Sequence, residues 1–292
     1  MRRLSLLMFL VASPLAAQVN YDTVQVKATQ LAPGLHVLFG AGGNMAVSSG
    51  GDATFLVDDQ FAPLTPRIVA AIKAITPKPV QFVLNTHWHW DHTGGNENFG
   101  TGGAVIVAHD NVRKRMSTDQ FVAAVNTRTQ ASPHVALPVV TFTDGVTFHL
   151  NGDSIAVIHV APAHTDGDAL VFFTKANVVH MGDVFNNAGL PFVDRSSGGS
   201  IHGIIAAADQ VYAMTNASTK IVPGHGAVAD RARLKQWRDA LFALRTRVQA
   251  EVKAGKTVDQ VLALRLGAPY EKEWPAGHER FFRTLFDELS GK

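Results

Sequence analysis

The stretch Thr86-His87-Trp88-His89-Trp90-Asp91-His92-Thr93-Gly94-Gly95-Asn96 places three imidazoles and one carboxylate within six consecutive residues. Imidazole nitrogen and carboxylate oxygen are the ligands that suit a zinc-like dication. The segment follows the apolar run Val80-Gln81-Phe82-Val83-Leu84, which reads as a strand. Ligands at the end of a strand ride on a rigid base. His87 and His89 are two residues apart, so an extended backbone points both to one face. Asp91 and His92 are adjacent and must diverge, or one must serve a second ion. A catalytic zinc usually takes three protein ligands plus water. Four ligand-type residues at this spacing therefore point to two metals.

Three later segments have the same character. His164 sits in Ala161-Pro162-Ala163-His164-Thr165-Asp166-Gly167-Asp168, after the strand-like run 154–160. Asp183 ends Val178-Val179-His180-Met181-Gly182-Asp183, and His225 sits in Ile221-Val222-Pro223-Gly224-His225-Gly226. Each is a short apolar run that breaks at glycine or a polar turn and delivers a ligand-type side chain there. Loops at strand ends are where a scaffold presents catalytic groups.

His-x-His-x-Asp-His at 87–92, the lone His164, Gly182-Asp183 and Gly224-His225-Gly226, in that order, resemble the metallo-β-lactamase superfamily. The resemblance covers most of the chain, from about Val37 to His225. Gly42-Gly43-Asn44 and Phe55-Leu56-Val57-Asp58 resemble the family's opening strands, and His92-Thr93-Gly94-Gly95-Asn96 the turn after its first ligands. The resemblance implies a single-domain α/β fold, a four-layer αββα sandwich with a dinuclear metal centre along one sheet edge. It implies that His87, His89 and His164 hold one ion, that Asp91, His92 and His225 hold the other, and that Asp183 and a hydroxide bridge them. The implied cofactor is two Zn²⁺ per chain, with iron or manganese as alternatives. The implied chemistry is metal-assisted hydrolysis, in which Asp91 also orients the nucleophile and passes a proton to the leaving atom.

Substrate is less sharply marked. Flavodiiron members of the family carry a glutamate where His89 stands. Many zinc β-lactamases carry a thiolate where Asp183 stands and a lysine three residues later, where this chain has Asn186. The tyrosine of quorum lactonases is also missing there. The aspartate bridge resembles lactonases and glyoxalase II, and an export signal disfavours the cytosolic thioesters of the latter. The expected reaction is the opening of a small ring amide or ester, a β-lactam or lactone, with some promiscuity. Alternatives are an accessory metallo-hydrolase or redox/cofactor-handling partner of a periplasmic quinoprotein dehydrogenase, a phosphodiesterase or thioesterase, and a silent metal-binding module. Trp90, as an apolar platform at the pocket mouth, Asn44 and Asn186 are the expected substrate contacts. Asp58 and Asp168 read either as carboxylates that accept from ligand imidazoles or as turn-formers. Trp88 and His202 read chiefly as packing and surface or capping residues. His36, His109, His134, His149, His159, His180 and His278 lack ligand contexts.

The elements that must position these residues follow from periodicity. Residues 23–60 alternate apolar and polar with Gly and Asp turns and read as a strand meander. Thr65-Pro66 predicts a helix start, with Thr65 as N-cap, and the helix runs to about Ile75. Strands are expected at 80–85, 104–108, 139–143, 146–150, 154–160, 169–173 and 178–181. Helices are expected at 110–117, from an N-cap at Ser200 to about Thr215, and over 230–254, 257–265 and 278–289. Residues 118–138, rich in Asn, Thr, Ser and Pro, read as a mobile loop with some helix. Two β-rich halves with helices between them suit a four-layer sandwich.

Composition sets the remaining bounds. A chain of 292 residues, 46% hydrophobic, can bury a large core. The absence of cysteine excludes disulfides, a lipid-anchored cysteine and a thiolate metal ligand. No Lys/Arg stripe marks a nucleic-acid surface, Arg113-Lys114-Arg115 reading as one solvated helix face. The expected partner is a small molecule, and the sequence sets no oligomeric state. Arg2 and Arg3, the apolar run 4–11 and Pro14-Leu15-Ala16-Ala17 have the three parts of a secretory signal. That run is far shorter than the roughly 20 residues of a membrane span. The expectation is a signal peptide over 1–17, a hydrolase domain over 18–292, and a periplasmic or secreted protein without stable membrane insertion. Mass spectrometry of the periplasmic fraction should show a chain that begins near Gln18; a soluble cytoplasmic protein with an intact Met1 would sink this reading.

Overall fold

The alternating segment near the amino terminus forms four strands, β1 (Lys27–Ala32), β2 (Leu35–Phe39), β3 (Met45–Ser49) and β4 (Thr54–Val57), paired antiparallel in sequence order. The structure is a computed structural model that describes residues 20–291. The expected signal peptide lies outside those residues. Every residue of β4 is buried, as a strand covered on both faces requires. Helix α1 (Thr65–Lys73) crosses over, and β5 (Val80–Leu84) pairs parallel to β4. The short helices α2 (Trp90–Thr93) and α3 (Asn96–Thr101) lead to β6 (Val105–His109), parallel to β5. After α4 (Asp110–Met116), strands β7 (Gln120–Val122) and β8 (Thr127–Thr129) form a separate hairpin. Strand β9 (Val140–Phe142) then joins β6 in parallel and completes a seven-stranded sheet, β1-β2-β3-β4-β5-β6-β9.

The second sheet has six strands in sequence order. Strands β10 (Gly145–Leu150), β11 (Asp153–His159), β12 (Ala169–Phe173) and β13 (Val178–His180) run antiparallel. Helix α5 (Ile201–Met214) crosses to β14 (Lys220–Val222), parallel to β13, and β15 (Ala229–Asp230) closes the edge. Helices α6 (Arg231–Lys253), α7 (Val258–Ala263) and α8 (His278–Ser290) complete the chain.

Strand periodicity sorts the apolar side chains into layers. Phe55 and Val57 point inward and meet Val157, Val171, Phe173 and Val222 of the second sheet. Leu56, between them, points outward and packs with Leu64, Ile68 and Ile72 at helix α1. On the far side, Leu170, Val179 and Ile221 meet Ile204 of α5, Trp237 and Leu241 of α6, and Phe281 and Leu285 of α8. The order is helix, sheet, sheet, helix, the αββα sandwich that the motifs imply. No helix among the described residues is long and apolar enough to cross a membrane.

Two local expectations are corrected. Thr65 is the first residue of α1 rather than its cap. The turn Ala62–Leu64 runs straight into the helix, so Leu64 occupies the cap position, with no side-chain cap bond. The segment 118–138 holds the β7–β8 hairpin, whose three-residue strands are too short to show alternation. Ser200 caps α5 as expected, its hydroxyl accepting from Gly203 N.

The topology decides where chemistry can occur. The parallel strands β4 and β5 and the parallel pair β13 and β14 end at one edge of the sandwich, the place where α/β sheets present ligand-binding loops. Backbone bonds join the sheets there: Ala169 N donates to Thr86 O at 2.8 Å, and Asn44 N donates to Gly224 O at 2.7 Å.

Candidate metal centre

Each of the seven ligand-type residues marked by the sequence arrives at this edge. His87, His89, Asp91 and His92 follow β5, His164 lies in the β11–β12 connection, Asp183 follows β13, and His225 follows β14. Their ligand atoms form three overlapping groups: His87, His89 and His164; His87, His92 and Asp183; and Asp91, His92 and His225. Within each group the atoms lie within 4.8 Å of one another. His92 Nε2 is 3.1 Å from Asp183 Oδ1, and His225 Nε2 is 3.2 Å from Asp91 Oδ2.

Four of the imidazoles have one nitrogen committed away from the cluster. His92 Nδ1 donates to the buried Asp58 Oδ2 at 2.8 Å, and His89 Nε2 donates to Asp194 Oδ2 at 3.1 Å. His164 Nδ1 donates to the Phe192 carbonyl at 2.7 Å. Thr86 Oγ1 donates to Asp58 Oδ2, so at 3.1 Å it accepts from His87 Nδ1. In the neutral tautomers these partners select, the inward nitrogens carry lone pairs. His164 Nε2 and His89 Nδ1 nevertheless face each other at 2.8 Å. His87 Nε2 is buried with no hydrogen-bond partner, and Asp183 Oδ1 is met only by the imidazoles of His92 at 3.1 Å and His225 at 3.4 Å. Buried acceptors that converge without donors are costly unless a cation joins them. The donor set of imidazole and carboxylate suits divalent metal, so the residues fit the metal that the sequence implies.

Electrostatics separates two halves. Burial, then repulsion from His89, lowers the pKa of His164 to about 4. Burial, with His92 and His164 nearby, holds His87 well below its usual value. Both stay neutral, the form that binds metal. In the other half, the charge of Asp183 outweighs burial and pushes His225 up to about 10. Burial opposes charge on His92, but Asp183, Asp91 and Asp58 outweigh it and raise the pKa well above the usual range. Burial alone would raise Asp91 and Asp183, yet the facing His92 and His225 pull both below the usual carboxylate range. The carboxylates that favour imidazolium here favour any cation in the same place.

The backbone is shaped around the cluster. Asp58 sits at φ 57°, a left-handed conformation uncommon outside glycine, and this turn aims its carboxylate at Thr86 N, Thr86 Oγ1 and His92 Nδ1. A Cβ on Gly43 would stand 2.1 Å from His92 Cε1, and one on Gly224 would stand 2.0 Å from Asp183 Oδ1. Both positions need glycine for close approach.

The other expected residues divide. Trp90 and Asn186 line a cavity of about 360 Å³ with Asp91, Asp183, His89 and His225. Asn44 does not line it, a correction to its expected place over the site. Its amide donates to the Pro223 and Gly226 carbonyls, both at 2.8 Å, and so braces the turn that carries His225. Asp58 supports an imidazole. Asp168 instead accepts from the backbone N–H groups of His164 and Thr165 and fixes that turn. Trp88 is buried, with Nε1 donating to Ser197 Oγ. His202 lies on the surface of α5. Asp194, beside His89, and the cavity residues Phe192, Arg280, Phe61, Val122 and Val125 carry no signal in the sequence. Asp194 sits in Phe192-Val193-Asp194-Arg195-Ser196-Ser197, which reads as a polar turn, 105 residues from His89 in sequence.

Residues 41–252 match the family model of the metallo-beta-lactamase superfamily. A curated relative, the 2,4-dinitroanisole O-demethylase subunit alpha of Nocardioides sp. (strain JS1661), is 30% identical over 109 residues, 36% of this chain and 29% of the relative. Among solved structures, a metallo-beta-lactamase from Pontibacter korlensis superposes with TM-score 0.60 at 19% identity, over 74% of this chain and 99% of that one. The sec-alkylsulfatase Pisa1 from Pseudomonas sp. superposes with TM-score 0.67 at 15% identity, over 90% of this chain and half of that one. FIM-1 from Pseudomonas aeruginosa, in its mono-zinc form, gives TM-score 0.58 at 20% identity, over 74% of this chain and 96% of that one. At these identities the superpositions speak to fold.

Outer support for His89 generates a test. Asp194→Asn removes the charge that orients His89 and should weaken zinc binding by about 10- to 100-fold, the usual effect of losing such a partner. Competition with a chromophoric chelator measures it. Unchanged affinity in a variant that melts like the parent would show that Asp194 only shapes its own turn.

Proposed function

For a chain that belongs to the metallo-β-lactamase superfamily and is a metal-dependent hydrolase, we propose a dinuclear zinc centre that opens a small ring amide or ester, a β-lactam or lactone. The observation that carries this reading is the set of inward lone pairs and carboxylates at the floor of the cavity. His87, His89 and His164 would hold one ion and Asp91, His92 and His225 the other, with Asp183 between them. Iron or manganese could fill the same nitrogen and oxygen donor set. Bound dications would supply Lewis acidity and bring the pKa of a water near neutrality. The cavity, about 360 Å³, falls within the range of small-molecule sites. Phe61, Trp90, Val122, Val125 and Phe192 give it apolar walls.

The chain's own residues then have distinct tasks. Asp91 lines the cavity and is held ionised by His92 and His225. Its carboxylate accepts a proton from the attacking water and returns it to the leaving nitrogen or oxygen. Trp90, partly exposed at the mouth, supports the apolar side of the substrate and limits water entry. Asn186 stands where its amide can meet a polar substituent, although its Oδ1 already accepts from Ala188 N at 2.9 Å. The chain's location is proposed to be periplasmic or secreted, which favours a diffusible substrate over a cytosolic thioester.

A second reading has one observation behind it. The 30% identical relative is named as an O-demethylase subunit, so an aryl methyl ether belongs beside nitrocefin, an acyl-homoserine lactone, a phosphodiester and a thioester in the substrate panel. On whichever substrate the zinc-loaded parent hydrolyses, Asp91→Asn should keep most of the metal, because an amide oxygen can still approach it. Turnover should fall by roughly two to four orders of magnitude, the scale of losing a positioned proton-transfer group. Near-full turnover by Asp91→Asn on every such substrate would overturn this assignment.

A further inference from the structure

Arg280, on α8, lines the same cavity as Asp91, Asp183 and His225 and is exposed at its rim. Its guanidinium carbon lies 4.4 Å from the Phe192 ring centroid. Phe192 in turn stacks on His89, with centroids 5.7 Å apart and planes at 16°, and its carbonyl accepts from His164 Nδ1. The cation is thus held on a ring that is itself packed against two of the candidate ligands.

Its neighbours are paired and it is not. Arg283 pairs with Glu279 at 3.0 Å and Asp259 at 3.5 Å, and Arg195 pairs with Glu288 at 3.6 Å. Among the described residues, no carboxylate or hydrogen-bond acceptor engages Arg280. Partial desolvation by its neighbours lowers its pKa, and no carboxylate opposes the shift. Arg280 also lines a second, larger cavity of about 630 Å³, between α8 and the Ala123–Ala124 turn of the hairpin. An unpaired guanidinium at the junction of two cavities has its donor fork free for a ligand.

We infer that Arg280 binds an oxyanion of the substrate, so that the enzyme's substrates are amphipathic anions rather than neutral rings. The planar fork matches a carboxylate with two parallel hydrogen bonds. The apolar body of the substrate then rests on Val122, Val125 and Phe192, and the reacting carbonyl faces Asp91 and His225. This assignment rests on the hydrolase reading of the cavity, and it adds what that reading lacks, a group that selects substrates by charge.

The test uses three probes with one aromatic body: 2-naphthoate, 2-naphthalenesulfonate and the neutral 2-acetylnaphthalene. Binding to the zinc-loaded full chain is measured by titration calorimetry for the parent, Arg280→Gln and Arg280→Lys. One or both anions should bind the parent about ten-fold or more tightly than the ketone, as expected for a charged hydrogen-bonded pair. The tighter of the two identifies the oxyanion. Arg280→Gln should abolish the preference and leave the ketone unchanged, and Arg280→Lys should restore part of it. If Arg280→Gln keeps the preference, the metal alone recognises the anion and the inference fails. If Arg280→Gln weakens all three probes equally, Arg280 is only a clip on Phe192, and the inference also fails. Because no probe is turned over, these outcomes are separate from hydrolysis of the substrate panel.

Discussion

Four imidazoles turn one nitrogen each toward a single cluster because their other nitrogens are tied elsewhere, and much of the fold's edge follows from that constraint. Asp58, Asp194, Thr86 and the Phe192 carbonyl fix the rings of His92, His89, His87 and His164. A buried lone pair without a donor is unfavourable, so the arrangement is stable only with positive charge at its centre. Protons supply part of that charge at His92 and His225, where the carboxylates raise both pKa values. Metal ions meet the same requirement across both halves at once. A site of this kind couples metal binding to stability, because the folded chain gains a partner that the unfolded chain cannot gather.

The sandwich makes the arrangement possible by bringing the ends of two sheets together. The ligands come from the first sheet by way of β5 and from the second by way of β11, β13 and β14. The edge must therefore hold the two sheets in fixed register. Backbone bonds from Asn44 to Gly224 and from Ala169 to Thr86 do this directly, and His180 adds a third by donating from Nε2 to Asn44 O at 2.9 Å. Part of the backbone strain lies beside the site. Asp58 and Gln60 are both left-handed next to the site, and Gln60 donates to the Gly43 carbonyl at 2.6 Å. Gly43 and Gly224 let the backbone touch His92 and Asp183. Strained positions of this kind persist only where the surroundings over-determine them.

The ligands were legible in the sequence because their chemistry is dense and their positions are local. Three imidazoles and a carboxylate in six residues after an apolar run have few other uses, and the glycine-flanked turns at Asp183 and His225 repeat the pattern. The long helices were legible for a similar reason, as Ser200 and the apolar stripes of α6 and α8 are short-range signals. Partners that meet only in space were not legible. Asp194 supports His89 from 105 residues away, and its Ser-rich surroundings read as an ordinary turn. Asp168 reads as either an imidazole partner or a turn-former, and only the path of the β11–β12 turn decides for the backbone N–H groups. Asn44 reads as a residue over the site, yet its amide braces the His225 turn. Arg280 gave no signal, because only the packing of α8 against Phe192 brings it to the cavity.

These seven residues are proposed to form one site for two ions. Elemental analysis of zinc-saturated protein after removal of loosely held metal tests it most directly. Two zinc ions per chain are expected. One tightly bound ion under saturating zinc, with Asp183 and His225 left uncoordinated, would contradict it.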